Sequence, residues 1–232
     1  VSTTGSSSSN CTDWSNTYEE ALNYNTNGTY YIFARAVSNS KPNDTGEGNG
    51  IGTFTVRIDK DTPAAPTITG TTASGSWATS NTLTISGSSS TSGIQKYEYC
   101  DSTSESSCTG TWNTYTSSMK YNTCGKKYVF ARAINNVPTT GTVSSPYKVF
   151  ILPTTPTITA SNSDGEVASD NWSTKDVTIT ITGTGDTSCV NKYEYCTSTT
   201  SSTSCTSWQT YSQTNKPVIT YEGTTYVFAR AT

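Results

Sequence analysis

The chain has 232 residues, of which only 13% are charged and 31% hydrophobic, and its net charge of -3 contains no basic block, which excludes a nucleic-acid footprint. No apolar run approaches the ~18 residues a membrane helix needs, and no charged-then-apolar leader opens the chain. Ser, Thr, Asn and Gly fill the place of the missing charge, but 15 Tyr, 5 Trp and 5 Phe at regular positions point to a folded, β-rich chain rather than a disordered one.

Residues 1–10 form a Ser/Thr-rich loop ending at Cys11, followed by Trp14 and Tyr18. Gly28-Thr29-Tyr30 leads into Tyr31-Ile32-Phe33-Ala34-Arg35-Ala36, a polar Gly-rich loop covers 38–52, and Phe54-Thr55-Val56-Arg57-Ile58 alternates as a further strand. A linker with two prolines spans 59–66. Strands are then expected at Thr67-Ile68-Thr69, Thr82-Leu83-Thr84-Ile85, Gln95 to Cys100, Trp112 to Tyr115, a short one near Met119, Tyr128-Val129-Phe130-Ala131-Arg132-Ala133, and Tyr147-Lys148-Val149-Phe150-Ile151. A second rigid linker, Leu152-Pro153-Thr154-Thr155-Pro156, follows. It resembles a sortase signal only superficially, because Pro156 stands where Gly is needed and no apolar tail follows. The last stretch runs through Trp172 and Val177-Thr178-Ile179-Thr180-Ile181 to Tyr226-Val227-Phe228-Ala229-Arg230-Ala231.

The three Phe-Ala-Arg-Ala strands make the chain a repeat array, since Phe33, Phe130 and Phe228 are 97 and 98 residues apart. The expected division is a C-terminal part of a first repeat at 1–62, a complete second repeat at 63–154, and a third repeat at 155–232 that lacks its last strand. About seven short strands in under 100 residues is the pattern of an immunoglobulin-like β-sandwich, so the expected fold is all-β, a linear rod of tandem sandwiches.

Ser92-Gly93-Ile94-Gln95-Lys96-Tyr97-Glu98-Tyr99, then Trp112 and Tyr115, then Tyr128 to Asn136, resembles the Ig-like and fibronectin type III-like repeats of large secreted or wall-attached bacterial surface proteins. The resemblance implies a stalk or adhesin, generally without catalytic residues in its repeats, whose partners would be an unknown surface ligand or neighbouring copies in a fibre. The cysteines depart from that family pattern.

Cys100 and Cys108 flank a polar loop, and Cys196 and Cys205 flank its counterpart, with Cys100 and Cys196 96 residues apart and Cys108 and Cys205 97 apart. Zinc would call for closer pairs or histidines, and the chain has no His, so both pairs are expected to be disulfides in an oxidising compartment. By the same register the partner of Cys11 would stand immediately before Val1, and the third repeat stops directly after its motif strand. The chain therefore reads as a segment of a longer array.

Cys124 and Cys189 stand at non-equivalent positions. In an Ig-like unit, the first precedes the sixth strand at the end that meets the next unit, and the second lies in the loop between strands two and three at the receiving end. They are expected to bridge the junction across residues 152–156, rather than remain thiols, which secreted proteins tend to avoid. The first repeat has Asn27 in place of Cys124, so its junction is expected to hinge more freely.

Period-two alternation puts Val129, Ala131 and Ala133 on a core face of the motif strand and Phe130 and Arg132 on the other. There, Glu98 is expected to pair with Arg132 and Glu194 with Arg230 as exposed register-setting ion pairs. Trp14, Trp112 and Trp208 follow the disulfide loops and are read as packing residues, with sugar stacking as the alternative. That alternative belongs to a second functional reading, a glycan- or protein-binding repeat array, with an accessory region of a large secreted hydrolase as one setting for it.

No catalytic residue, cofactor or metal is expected: there is no His, no cysteine paired with a base, and no recurring acid pair. Asp59 and Asp61 invite comparison with calcium clamps between tandem domains, but the second linker offers no such pair. Asn10, Asn27, Asn43 and Asn171 open N-glycosylation patterns, which matter only in a source that glycosylates them.

Overall fold

The computed structural model describes residues 1–11, 14, 17–37, 51–183, 189–201 and 205–232. The Asn43 glycosylation pattern and Thr12 of the Asn10 pattern lie outside the described residues. Among the described residues the protein is all-β, with one 3-10 turn at Ser8–Asn10 and no α-helix. It divides into two compact units, one made of Val1–Thr67, Ser86–Tyr99 and Ala131–Ser144, the other of Ile68–Ile85, Cys100–Phe130 and Ser145–Thr232. That division runs through the second sequence repeat, whose long strands contribute residues to both units.

In the first unit, β1 (Gly28–Ala34) and β2 (Gly52–Ile58) form an antiparallel pair in which Gly28 faces Ile58 and Ala34 faces Gly52. Ser2 joins them by a bridge to Tyr31. The stretch after β2 is anchored where the Thr142 N–H donates to the Pro63 carbonyl at 3.0 Å.

The second repeat builds two sheets. One has the order β3 (Thr67–Gly70), β5 (Asn81–Ser86), β8 (Met119–Tyr121). The other has the order β4, β10, β9, β6, β7, with β4 at Trp77–Ala78, β6 at Ile94–Ser102, β7 at Trp112–Tyr115, β9 at Gly125–Asn135 and β10 at Tyr147–Ile151. The alternation that predicted these strands is the alternation of burial: Leu83 and Ile85 on β5, Val129, Ala131 and Ala133 on β9, and Val149 and Ile151 on β10 are all buried. Two sheets with apolar faces are compatible with a β-sandwich.

The third repeat likewise has two sheets. β11 (Thr157–Asn162), β12 (Gly165–Val167), β13 (Val177–Thr182) and β16 (Val218–Ile219) form one, in the order β12-β11-β13-β16. β14 (Tyr193–Ser198), β15 (Gln209–Thr210) and β17 (Tyr226–Ala231) form the other, in the order β15-β14-β17. Ile179, Ile181 and Tyr211 make its buried cluster, with Ile158, Tyr193 and Val227 packed against them.

Two details depart from the sequence reading. Trp77–Ala78 is an eighth strand in the second repeat, pairing parallel to Phe150 and Ile151; two residues are too few to show a period. Phe130 shares the face of Arg132 but is only 3% exposed, so β9 is buried on both faces at its centre.

Each motif strand is also preceded or opened by a glycine at positive φ: Gly28 at 149°, Gly125 at 119° and Gly223 at 112°. A side chain would strain the backbone there, so these positions carry glycine wherever the motif recurs.

Candidate functional site

Three disulfides and two charged stacks are the chemically distinctive groups of the described residues. Cys100 bonds Cys108 and Cys196 bonds Cys205, with Cα separations of 6.0 and 6.1 Å and sequence separations of 8 and 9. Each staples the end of a strand, β6 or β14, to the loop that follows it, and Cys100 and Cys196 are buried. Cys124 bonds Cys189 over a separation of 65 residues, with Cα atoms 6.0 Å apart. This bond joins the residue just before β9 to the turn before β14, spanning residues 152–156. The Gly125 backbone, next to Cys124, comes so close that a Cβ there would lie 3.9 Å from the Cys189 Cβ. Cys11 is buried, and the amino group of Val1 lies 3.7 Å from its Sγ.

The structure brings Glu98 and Arg132 together: Arg132 Nε donates to Glu98 Oε2 at 2.8 Å and its Nη2 reaches the same oxygen at 2.7 Å. In the third repeat Arg230 Nε and Nη2 both lie 2.6 Å from Glu194 Oε2. Each carboxylate has a second cation that sequence reasoning missed. Lys96 Nζ is 2.8 Å from Glu98 Oε1, and Lys192 Nζ is 2.5 Å from Glu194 Oε1. The signal was present in Lys96-Tyr97-Glu98 and Lys192-Tyr193-Glu194, where residues two apart share a strand face.

Contrary to expectation the carboxylates are buried, Glu98 and Glu194 being 8% and 7% exposed, while the Arg230 side chain stays 47% exposed. Lys96 first and Arg132 next hold the Glu98 carboxyl below the ordinary glutamate range against the opposing effect of burial. Lys192 and then Arg230 do the same for Glu194.

The tryptophans after the disulfide loops are half-buried. Arg230 lies over the Trp208 ring at 4.2 Å from its centroid, and Arg35 lies over the Trp14 ring at 4.4 Å. One face of each ring is therefore covered by a guanidinium in a cation–π contact, and at Trp208 the same guanidinium also holds Glu194. The stack of Lys192, Glu194, Arg230 and Trp208 thus ties β14 and β17 to the end of the staple loop.

Other aromatic surface lies elsewhere. Trp172 is 85% exposed, and Trp77, half exposed, packs on Phe150 at 5.3 Å with Lys126 Nζ 5.8 Å from its centroid. Among the described residues no three His, Cys, Asp or Glu converge as a metal site, and no helix is long and apolar enough to cross a membrane. At Asp59 the carboxylate is filled by protein donors rather than facing open space, with five donors at 2.5 to 3.1 Å. No family model matches the chain, and no curated protein matches it in sequence.

Proposed function

We propose that this chain is a structural segment of an extracellular bacterial surface protein, a disulfide-stapled array of Ig-like repeats that acts as a stalk or fibre and spaces a distal adhesive or enzymatic region. The observation that carries the reading is the Cys124–Cys189 bond, which spends a disulfide on the junction between two repeats rather than within one. Three disulfides suit a secreted, oxidising setting. The repeating charged stacks use their polar groups internally, pairing each carboxylate with two cations, which suits a structural role.

Small-angle scattering tests the reading. A compact globule of this length has a radius of gyration of about 17 Å. A stalk segment gives a clearly larger value and an elongated distance distribution, whereas a value near that of a globule overturns the proposal. The second reading, a glycan-binding array, is favoured by the exposed Trp172 ring. Retention of the chain on a panel of immobilised glycans, abolished by Trp172→Ala, would establish it instead.

A further inference from the structure

Asn27 stands 97 residues before Cys124, and Gly93 stands 96 before Cys189, so the two positions that the disulfide joins at the second junction have counterparts at the first. Neither counterpart is a cysteine, and the sequence therefore suggests a loose hinge. The side chains around them say otherwise.

The Asn27 amide donates to Asp61 Oδ1 at 2.5 Å, and its Oδ1 accepts the Lys60 N–H at 2.7 Å. Asp61 Oδ2 accepts the Thr91 hydroxyl at 2.6 Å, two residues before Gly93. Asp59 continues the set from the same linker. Its Oδ2 accepts the Ser90 hydroxyl at 2.5 Å, the Ser92 hydroxyl at 2.5 Å, the Ser92 N–H at 2.8 Å and the Asn135 amide at 3.1 Å. Its Oδ1 accepts the Asp61 N–H at 2.9 Å. The linker between the first and second repeats is thus bonded on one side to the residue preceding a motif strand, and on the other to the loop before β6 and the end of β9.

We propose that this linker is a polar clasp, centred on Asp59, which locks the first junction where a disulfide locks the second. At the second junction Leu152 follows Ile151 as Asp59 follows Ile58, and a leucine side chain has no atom that accepts a hydrogen bond. The two locks differ in kind: the clasp opens and recloses without redox chemistry, whereas the disulfide does not open without a reductant. The hydroxyls of Ser90 and then Ser92 also hold the Asp59 carboxyl far below its ordinary range, so the acceptor stays charged in mildly acidic surroundings.

The proposal rests on reading the chain as joined repeats, but its test does not depend on the stalk function, because it reads the junction directly. Hydrogen exchange of the full 232-residue chain is followed at the Lys60 and Thr142 amides, which bond Asn27 and Pro63 and not Asp59. Asp59→Ala is expected to speed exchange at both at least ten-fold, with or without reductant, while Val149 on β10 stays protected. The double variant Cys124→Ser/Cys189→Ser is expected to leave Lys60 and Thr142 unchanged.

Equal protection of Lys60 and Thr142 in the parent and Asp59→Ala overturns the clasp. If Asp59→Ala also unprotects Val149, Ser90→Ala/Ser92→Ala removes two donors and keeps the carboxylate, and the same comparison decides. Scattering that shows a globule alongside faster exchange at Lys60 would reject the stalk and keep the clasp.

Discussion

Arg230 lies directly opposite Glu194 across β17 and β14, and its guanidinium meets one carboxylate oxygen through two nitrogens while its face covers Trp208. The same bidentate contact joins Arg132 to Glu98, whose carboxylate is buried. A fork-shaped donor held this way loses more than a charge when its acceptor changes. Glu98→Gln is expected to destabilise the protein by about 1–3 kcal/mol. Arg132→Lys should fall in the same direction, because an ammonium cannot reproduce the fork. Urea unfolding checks both, and a Glu98→Gln midpoint equal to that of the parent would show that the pair sets register alone.

Acid should act through the same groups. Glu98 and Glu194 both have pKa values lowered by folding, by Lys96 then Arg132 and by Lys192 then Arg230. A depressed carboxylate contributes stability that is complete above its unfolded pKa, about 4.3 for glutamate, and is lost as pH falls through the lower folded value. The melting temperature is therefore expected to fall below about pH 4, less steeply in Glu98→Gln/Glu194→Gln than in the parent. Parallel pH curves for the two proteins would remove these carboxylates from the acid response.

What could be read from the sequence depended on whether a signal repeated. Cys100, Cys108, Cys196 and Cys205 recur at matching offsets, and the structure pairs them in that order. Cys124 and Cys189 do not recur, yet fold-level reasoning placed them at facing ends, and they are bonded. The charge of Glu98 and its partner Arg132 followed from strand alternation, but its burial did not, because burial depends on what covers the sheet. The Asp59 contacts were hidden for another reason. Asn27, Asp59, Ser90 and Ser92 are ordinary turn residues in separate segments, and only the folded chain shows that their donors and acceptors match.

Backbone geometry gives a cleaner test of why the motif recurs. Gly223 has φ 112°, and a Cβ there would touch nothing within 4 Å, so Gly223→Ala reports conformational strain without steric overlap. A residue held in a sparsely populated region costs of order 1–3 kcal/mol. Gly223→Ala is expected to lie in that range, while Gly52→Ala, in β2, where no left-handed φ is required, is near neutral. Calorimetric melting of both variants separates them, and equal effects would mean that the glycine is kept for another reason.

The Cys124–Cys189 bond has a mechanical consequence that neither short staple shares. Cross-linking limits the unfolded chain more as the closed loop lengthens, and the chain-entropy estimate gives about 4 kcal/mol for Cys124–Cys189 against about 2.5 kcal/mol for either short loop. Tension applied at the two chain ends also takes the shortest covalent path, which leaves the backbone at Cys124, just before β9, and re-enters it at Cys189. β9, β10, β11, β12, β13 and residues 152–156 lie off that path, so pulling cannot extend them while the bond is intact. At roughly 3.5 Å per residue, the 65-residue separation hides about 230 Å of extensible chain. Single-molecule stretching of the oxidised protein should therefore end about 230 Å shorter than that of Cys124→Ser/Cys189→Ser, whereas removing Cys100–Cys108 should release only about 30 Å. Equal final lengths for the parent and Cys124→Ser/Cys189→Ser would mean that the bond does not carry the load.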